Sequence, residues 1–351
     1  MATRRTTLKC LLSAAAAVSF CLGSLVAQAA PTQVETNKAI VERYLKAMGT
    51  ANFEAVRKEV ESKDHKLLRH EFENLKYNAE GSELAKAAQP DAKAIPDRIN
   101  TITRILGEGD TVAATLKIKG TQKGNLFGIP ATNKAFEIEA AAVLKLSNGK
   151  IVESWFMAEE AALLRQLAAP FPLRKDGKVV VPPHYDDTRP FDTVLKELMA
   201  NPVDSAEYRH KKLLLAYKSK AENRPADYPA GNKPYEKLIR GGIDNIVARG
   251  KEINVPANHG QSIKDRQDTV ANVIAEGNQG MFQFRLNAVN AGPLSVIPPS
   301  NHDVHDWEIG FADFDGDKWT NAWYLGDELG FLLSIGNKEA LNFLVSQPAA
   351  K

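Results

Sequence analysis

Two acidic residues, Glu159 and Asp327, each follow a tryptophan by four positions at the end of a strand-like stretch. Side chains alternate between faces in an extended chain, so Trp155 shares a face with Glu159 and Trp323 shares one with Asp327. The residues between them on these faces are apolar, which predicts a carboxyl at the rim of an apolar pocket. Burial raises the pKa of such a carboxyl and suits it to proton transfer near neutral pH. A helical pattern also begins at each acid, so capping a helix is the alternative role.

Other polar residues could assist an acid/base site by stabilising a developing oxyanion. The candidates are Asn290, His259 and the pair His302/His305. A His-x-x-His pair on a strand points its members to opposite faces, so we predict no metal site there. We also expect a bulge or a compensated indel near His302, which would place His305 on the face of Trp307 and hence at the pocket.

The chain has 351 residues and a net charge of +2, with charges of both signs interspersed. This pattern argues against a nucleic-acid partner, which requires a concentrated basic surface. No phosphate loop or dinucleotide fingerprint occurs, and we predict that no cofactor is used.

The first 29 residues have a basic start, an apolar run and an Ala-Gln-Ala cleavage signal, and are predicted to be a signal peptide. We therefore expect an exported protein, periplasmic or secreted, that follows the general secretory or the twin-arginine route. No membrane association is expected after processing. Both cysteines, Cys10 and Cys21, lie in this segment, so the mature chain would contain no disulfide.

The remaining sequence repeats itself at a constant shift of 168 residues, which carries Trp155 onto Trp323 and Glu159 onto Asp327. The same shift aligns identical residues at turns and boundaries, for example Asn133 with Asn301. Such identity indicates a tandem duplication.

Each repeat begins with helical patterns, continues with an antiparallel meander and ends with a closing helix. The segments IPDRINTITRIL (95–106) and IKDRQDTVANVI (263–274) read as short helices before the meander, and YEKLIRGGIDNIV (235–247) as another. This order predicts an α+β fold. The predicted domains are residues 31–168 and 195–349, joined by a Pro-rich linker, 169–194.

The segments GDTVAATLKIKGTQKGNLFGIPATNK and GKIVESWFMAEEAALLRQL resemble the SnoaL-like polyketide cyclase or ester cyclase family of the nuclear-transport-factor-2-like superfold. The resemblance implies two tandem cone-shaped α+β barrels, each a curved antiparallel sheet covered by N-terminal helices around an apolar pocket. It implies cofactor-independent ring closure in which the motif Asp is the acid/base, at Glu159 and Asp327 here. The family's Gly-Thr-His histidine corresponds to Gln122 and Asn290, so both repeats lack it.

Taken together, these features predict an exported, cofactor-independent acid/base enzyme, of cyclase, isomerase or ester-processing type. Its ligand would be a small apolar carbonyl or ester compound. Asp327 and Glu159 are the predicted catalytic residues; the predicted substrate-binding residues are Trp323, Trp155, Asn290, Gln122, His305 and His259. Two alternatives are a periplasmic binding module without turnover and a pseudo-dimeric interaction protein in which sheet packs on sheet. A homodimer through the sheet faces is also expected.

Overall fold

The computed structural model describes residues 32–79, 91–171, 179–183, 187–229, 234–240, 262–294, 297–337 and 339–340. They belong to one compact unit, Thr32–Lys351. Within these ranges, every helix is too short or too polar to cross a membrane. The predicted signal peptide lies outside the described residues, and the predicted domain boundaries stay a prediction.

The first repeat forms a five-stranded sheet with strand order β1-β5-β4-β3-β2. Strands β2 to β5 are an antiparallel meander, and β1 adds to β5 in parallel. The elements in chain order are α1 (Gln33–Ala47), α2 (Phe53–Val60), β1 (Glu61–Arg69), α3 (Glu73–Ala79), α4 (Asp91–Ala94), β2 (Ile99–Glu108), β3 (Thr111–Thr121), β4 (Ala135–Ser147), β5 (Lys150–Ala158) and α5 (Glu160–Leu167).

The second repeat forms a six-stranded sheet with strand order β6-β8-β9-β10-β11-β7. Its elements are β6 (Arg189–Pro190), α6 (Phe191–Ala200), α7 (Ala206–Lys218), a 3-10 turn (Ala221–Asn223), β7 (Lys237–Arg240), β8 (Ile263–Glu276), β9 (Gln279–Asn290), β10 (Asp303–Asp315), β11 (Lys318–Gly326) and α8 (Glu328–Ile335). The predicted α+β class is confirmed. The sheets are curved and open, with edge strands, and are not closed barrels.

The 168-residue shift recurs in backbone geometry, which is consistent with a duplication. Asn133 and Asn301 both have a φ of 56°, a conformation that asparagine tolerates better than most residues. The amides of Glu159 and Asp327 donate to the carbonyls of Glu139 and Trp307, which the same shift relates.

Three of the predicted helices are wrong where the structure describes them. Segments 95–106 and 263–274 contribute mainly to strands β2 and β8, and Lys237–Arg240 is strand β7. Register shifts between Ile102 and Arg104, and between Val270 and Asn272, interrupt the pairing with the next strand. Such a bulge breaks the alternation of side chains and leaves apolar spacings that imitate a helix. The bulge predicted near His302 is also wrong, because β9 and β10 pair without a shift from Asp303 to Asp313.

Each sheet is buried on both faces. One face of the first sheet packs under α1, where Val41 and Leu45 meet Val112 and Leu144. The opposite face packs against the second sheet through residues of both repeats: Leu106, Ala113, Ala141, Val143, Trp155, Met157, Ile274, Met281, Trp307, Ile309, Phe311 and Leu325. The repeats thus pack sheet on sheet, as the pseudo-dimer alternative predicted.

Candidate functional site

A cavity of about 590 Å³ opens on the helix-covered side of the first sheet. It lies among α1, α2, β1, α3, α4 and β5, and a ligand pocket of this volume can enclose a small organic molecule. The lining residues are Tyr44, Met48, Gly49, Thr50, Phe53, Glu54, Arg57, Glu61, His65, Leu67, His70, Glu71, Phe72, Lys76, Asp91, Ala92, Phe127 and Phe156.

Aromatic rings form two parts of the cavity wall. The Tyr44 ring packs edge-on against Phe53, with centroids 5.2 Å apart, and stacks with Phe156 at 6.3 Å. Phe72 and Phe127 form a second pair at 5.6 Å. These rings offer flat apolar surface against which a ligand can pack.

The end of the cavity at β1 carries a histidine held between two strands. The Nε2 of His65 lies 2.8 Å from the Oγ of Ser154 on β5, and its Nδ1 lies 3.8 Å from Glu61 Oε2. Glu61 also accepts a hydrogen bond of 2.6 Å from the Tyr44 hydroxyl. Burial lowers the pKa of His65, with Glu61 acting in the opposite direction and Arg57 in the same direction. A neutral imidazole is thus favoured at neutral pH.

A second histidine in the cavity accepts a hydrogen bond from a lysine. Lys76 Nζ lies 2.6 Å from His70 Nε2. Burial, followed by the positive charges of Lys76 and Arg69, lowers the pKa of His70 to about 4. This imidazole is therefore uncharged across the physiological range.

Two carboxylates, Glu71 and Asp91, form the acidic part of the cavity wall, and both lie near the buried Arg98. Arg98 donates from one nitrogen to both carboxylate oxygens of Glu71, at 2.8 and 2.9 Å. The Asp91 carboxylate lies farther away, 3.7 Å from Arg98. Burial raises the pKa of Asp91 to about 6, against the opposing effect of Arg98. Asp91 thus exchanges its proton close to neutrality, as an acid/base group requires.

The corresponding interior of the second repeat is filled by aromatic rings in the part that the structure describes. The 168-residue shift places Phe282 where the first repeat has Ala114, and Tyr324 where it has Phe156. The Phe282 ring lies 5.3 Å from Phe284 and 5.7 Å from Tyr324. Where the structure describes both repeats, the first thus has an open cavity and the second has packed aromatic rings.

Asp327 lies between the repeats, where it caps α8. Its Oδ1 accepts hydrogen bonds from the amide of Gly330, at 3.0 Å, and from Asn74 Nδ2, at 2.8 Å. Its Oδ2 lies 2.6 Å from a guanidinium nitrogen of Arg69, and both side chains are buried. The adjoining space measures only about 10 Å³, which is room for at most one water molecule. The capping role considered from the sequence is observed, and a catalytic role stays a prediction.

Glu159 precedes α5 without capping it, and its Oε2 accepts a hydrogen bond of 3.0 Å from the Glu139 amide. Burial raises the pKa of Glu159 to about 7, with further increases from Glu139 and Glu328. The next residue, Glu160, is fully buried and accepts hydrogen bonds from Asn74 and from the Leu75 amide. Neither acid is among the residues that line the large cavity.

Gln122 and Asn290, at the positions of the family histidine, organise loops. Gln122 Nε2 donates to the carbonyls of Gly124, Ile129 and Pro130, and its Oε1 accepts from Thr132. Asn290 makes the equivalent bonds to Gly292 and Ser300. Both side chains are completely buried, so each amide holds the loop that precedes β4 or β10.

The remaining predicted residues lie in different places. Trp155 is buried between the sheets, with its ring 5.8 Å from Trp307. Trp323 packs against Phe311 at 5.7 Å. The Nδ1 of His305 lies 2.9 Å from Asn287 Oδ1. His259 lies outside the described residues.

Sequence reasoning missed the cavity residues of α1, β1 and α4. The segment ESKDHKLLR, which includes His65, is highly charged and forms strand β1. One feature of the sequence could have pointed to this part of the site: Glu61 and His65 lie four residues apart, shortly before the apolar pair Leu67 and Leu68. Among the described residues, no group of three or more His, Cys, Asp or Glu side chains could hold a metal ion.

Residues 38–167 match the family model of the SnoaL-like polyketide cyclases. No curated protein matches the chain.

Several solved structures resemble the chain over one repeat. A protein from Jannaschia sp. CCS1 is 16% identical, covers 41% of this chain and 99% of its own length, and gives a TM-score of 0.32. AclR from Streptomyces galilaeus is 24% identical, with 37% and 94% covered and a TM-score of 0.30. A SnoaL-like polyketide cyclase from Agrobacterium tumefaciens is 18% identical, with 37% and 97% covered and a TM-score of 0.29.

The family match spans α1 to α5 and includes most of the residues that line the open cavity. Beyond it, the meander and the parallel edge strand recur in the same order in the second sheet. The first repeat, residues 38–167, is therefore the part of this chain that is similar to the SnoaL-like polyketide cyclases.

Proposed function

We propose that the first repeat is a cofactor-independent acid/base enzyme of cyclase or isomerase type, acting on a small, largely apolar carbonyl or ester compound. The observation that carries the proposal is the cavity of about 590 Å³ in which aromatic rings lie beside ionisable groups. Aldol-type ring closure and enolisation need such a site, since a proton must leave a carbon beside a carbonyl in a poorly hydrated space.

Asp91 is the acid/base group that we assign to this cavity. Its pKa of about 6 allows it to accept and return a proton at neutral pH. The Arg98 guanidinium, 3.7 Å away, stabilises the carboxylate once the proton has left. In this proposal Asp327 and Glu159 stabilise the joint between the repeats, and the second repeat is a scaffold.

The charges around the cavity favour an uncharged substrate. The lining contains two cations, Arg57 and Lys76, and four carboxylates, which are those of Glu54, Glu61, Glu71 and Asp91. An anionic ligand would be repelled by this excess of negative charge. Ketones and esters therefore fit the site better than the corresponding free acids.

The test needs no knowledge of the natural substrate, because enolisation exchanges the protons beside a ketone. The probe is 2-tetralone in deuterated buffer, with exchange followed by NMR. Wild type should accelerate exchange, and Asp91→Asn should reduce the acceleration about 100-fold. Asp64→Asn, an exposed change on β1, is the matched control and should retain full activity. Absence of acceleration by wild type with 2-tetralone and with uncharged esters would overturn the proposal.

A non-catalytic binding module is the second candidate function. It is favoured by the loop-holding role of Gln122 and Asn290, which leaves no side chain at the family's histidine position free to act on a ligand. Saturation-transfer NMR distinguishes the two functions, since a binding module would bind 2-tetralone without exchanging its protons.

We further propose that the protein acts outside the cytoplasm, after removal of residues 1–29. Mass determination of the protein purified from its native host would reveal this processing. The sheet faces are occupied within the chain, so a homodimer would have to use other surfaces.

A further inference from the structure

Strand β1 is irregular where Glu61 and His65 lie. Glu61 pairs with Ile151 and Lys66 pairs with Glu153, so five steps along β1 match two steps along β5. The extra residues form a bulge, a feature that redirects side chains and recurs next to active sites. A regular strand would hold the Cα atoms of Glu61 and His65 about 13 Å apart. Here the side chains meet at the cavity, with Nδ1 and Oε2 separated by 3.8 Å.

Ser154 holds the imidazole from the opposite side. Ser154 and Phe156 share a face of β5, and Phe156 lines the cavity. The Ser154 side chain is fully buried, so its hydroxyl is shielded from a substrate. Its 2.8 Å contact with Nε2 can instead fix the tautomer. When Nε2–H donates to the serine oxygen, the lone pair of Nδ1 faces the cavity.

The gap between His65 and Glu61 is suited to a third group. A separation of 3.8 Å is too long for a direct hydrogen bond. An oxygen or an acidic C–H placed beside the two atoms could contact both. Glu61 is held in position by the Tyr44 hydroxyl at 2.6 Å and by the Arg57 guanidinium at 3.6 Å.

We propose that His65 accepts the proton that leaves carbon in this cavity, while Asp91 exchanges its own proton with the substrate oxygen. Ser154 is the positioning residue of His65, and Glu61 stabilises the imidazolium that forms. This inference rests on the proposed function and adds a base to it. A proton on the carbon beside the substrate carbonyl moves to Nδ1, and the C–H electron pair shifts to give an enolate. In isomerisation the imidazolium returns the proton to another carbon. In ring closure the enolate carbon bonds to a second carbonyl carbon, whose oxygen takes the proton.

The charges that face His65 come from three elements. They are Glu61 on β1 itself, Arg57 on α2 and Glu153 on β5. Protonation of His65 at low pH would remove its lone pair, so exchange should fall as the pH drops through the imidazole pKa.

Two measurements test the inference with 2-tetralone and the full chain. His65→Gln should reduce the exchange rate about 100-fold, while saturation-transfer NMR shows that the probe still binds. Ser154→Ala should reduce it about tenfold, through loss of the ring orientation. Asp64→Asn, the exposed change on β1, is again the control. In wild type, nitrogen NMR of the imidazole should show the proton of His65 on Nε2, and Ser154→Ala should weaken this preference.

The outcomes separate the inference from the function. If wild type exchanges the probe and His65→Gln stays within about twofold of it, His65 is not the base, although the proposed function stands. A proton found on Nδ1 of His65 in wild type overturns the assigned tautomer and the inference with it. If wild type exchanges none of the probes, the proposed function fails and the base assignment fails with it.

Discussion

Replacing Asp327 by asparagine removes one charge from a buried pair and preserves the shape of the side chain. Asparagine is as good an N-cap as aspartate, so the bond from the Gly330 amide should persist. The 2.6 Å contact with Arg69 cannot persist as an ion pair. An uncompensated buried charge costs about 3–5 kcal/mol. Glu160 and Glu73 also act on Arg69, so we expect the lower end, about 3 kcal/mol.

The assay is urea unfolding followed by tryptophan fluorescence. Trp155 and Trp307 report on this region, because their rings are 5.8 Å apart and Arg69 lies over Trp155. Arg69→Met should recover part of the loss when it is combined with Asp327→Asn, since the uncompensated charge is then absent. A loss below about 1 kcal/mol for Asp327→Asn would refute the reasoning. Unchanged stability together with lost proton exchange would instead restore Asp327 as the catalytic acid.

Two further predictions concern Glu159, near the contact between the repeats, and Gly310, in the interior of the second repeat. Burial raises the pKa of Glu159 to about 7 from an ordinary value near 4.5. The stability that Glu159 contributes is therefore present below about pH 4.5 and is lost as the pH rises through 7. Glu159→Gln should flatten this decline in urea titrations at pH 5 and 8, and an equal decline in the variant would contradict the prediction. A Cβ at Gly310 would lie 2.8 Å from atoms of both Phe282 and Tyr324, so Gly310→Ala should cost about 1–3 kcal/mol. A thermal midpoint within one degree of wild type would show that the rings can move aside.

The fold class could be predicted from the sequence because the patterns that indicate it are local. Hairpin turns, closing helices and the repeat of Trp155 at Trp323 are visible without tertiary contacts. Strands β2 and β8 were missed because a bulge in each interrupts the alternation. A bulge depends on the partner strand, so a single segment does not reveal it.

The candidate site was harder to predict, and strand β5 shows why. Alternation separates Trp155 from Phe156, but both faces of this strand are apolar because helices cover one and the second sheet covers the other. The alternation of side chains therefore assigns residues to the two faces of β5 but does not show which face lines the cavity. The structure places Phe156 at the cavity and Trp155 between the sheets. The polar groups of the cavity come from helices and from the edge strand β1. These elements meet only when the chain folds, so local sequence patterns do not show that they share a site.

The joining of two repeats in one chain gives the interface a property that a dimer of identical subunits lacks. Across the junction Arg165 pairs with Glu328, at 2.9 Å, but the 168-residue shift replaces this arginine by Leu333 in the second repeat. In a symmetric dimer every substitution appears twice, so an asymmetric contact of this kind cannot be selected alone. A single gene can change each half independently. One half can lose its interior cavity while the other keeps the space that a ligand needs.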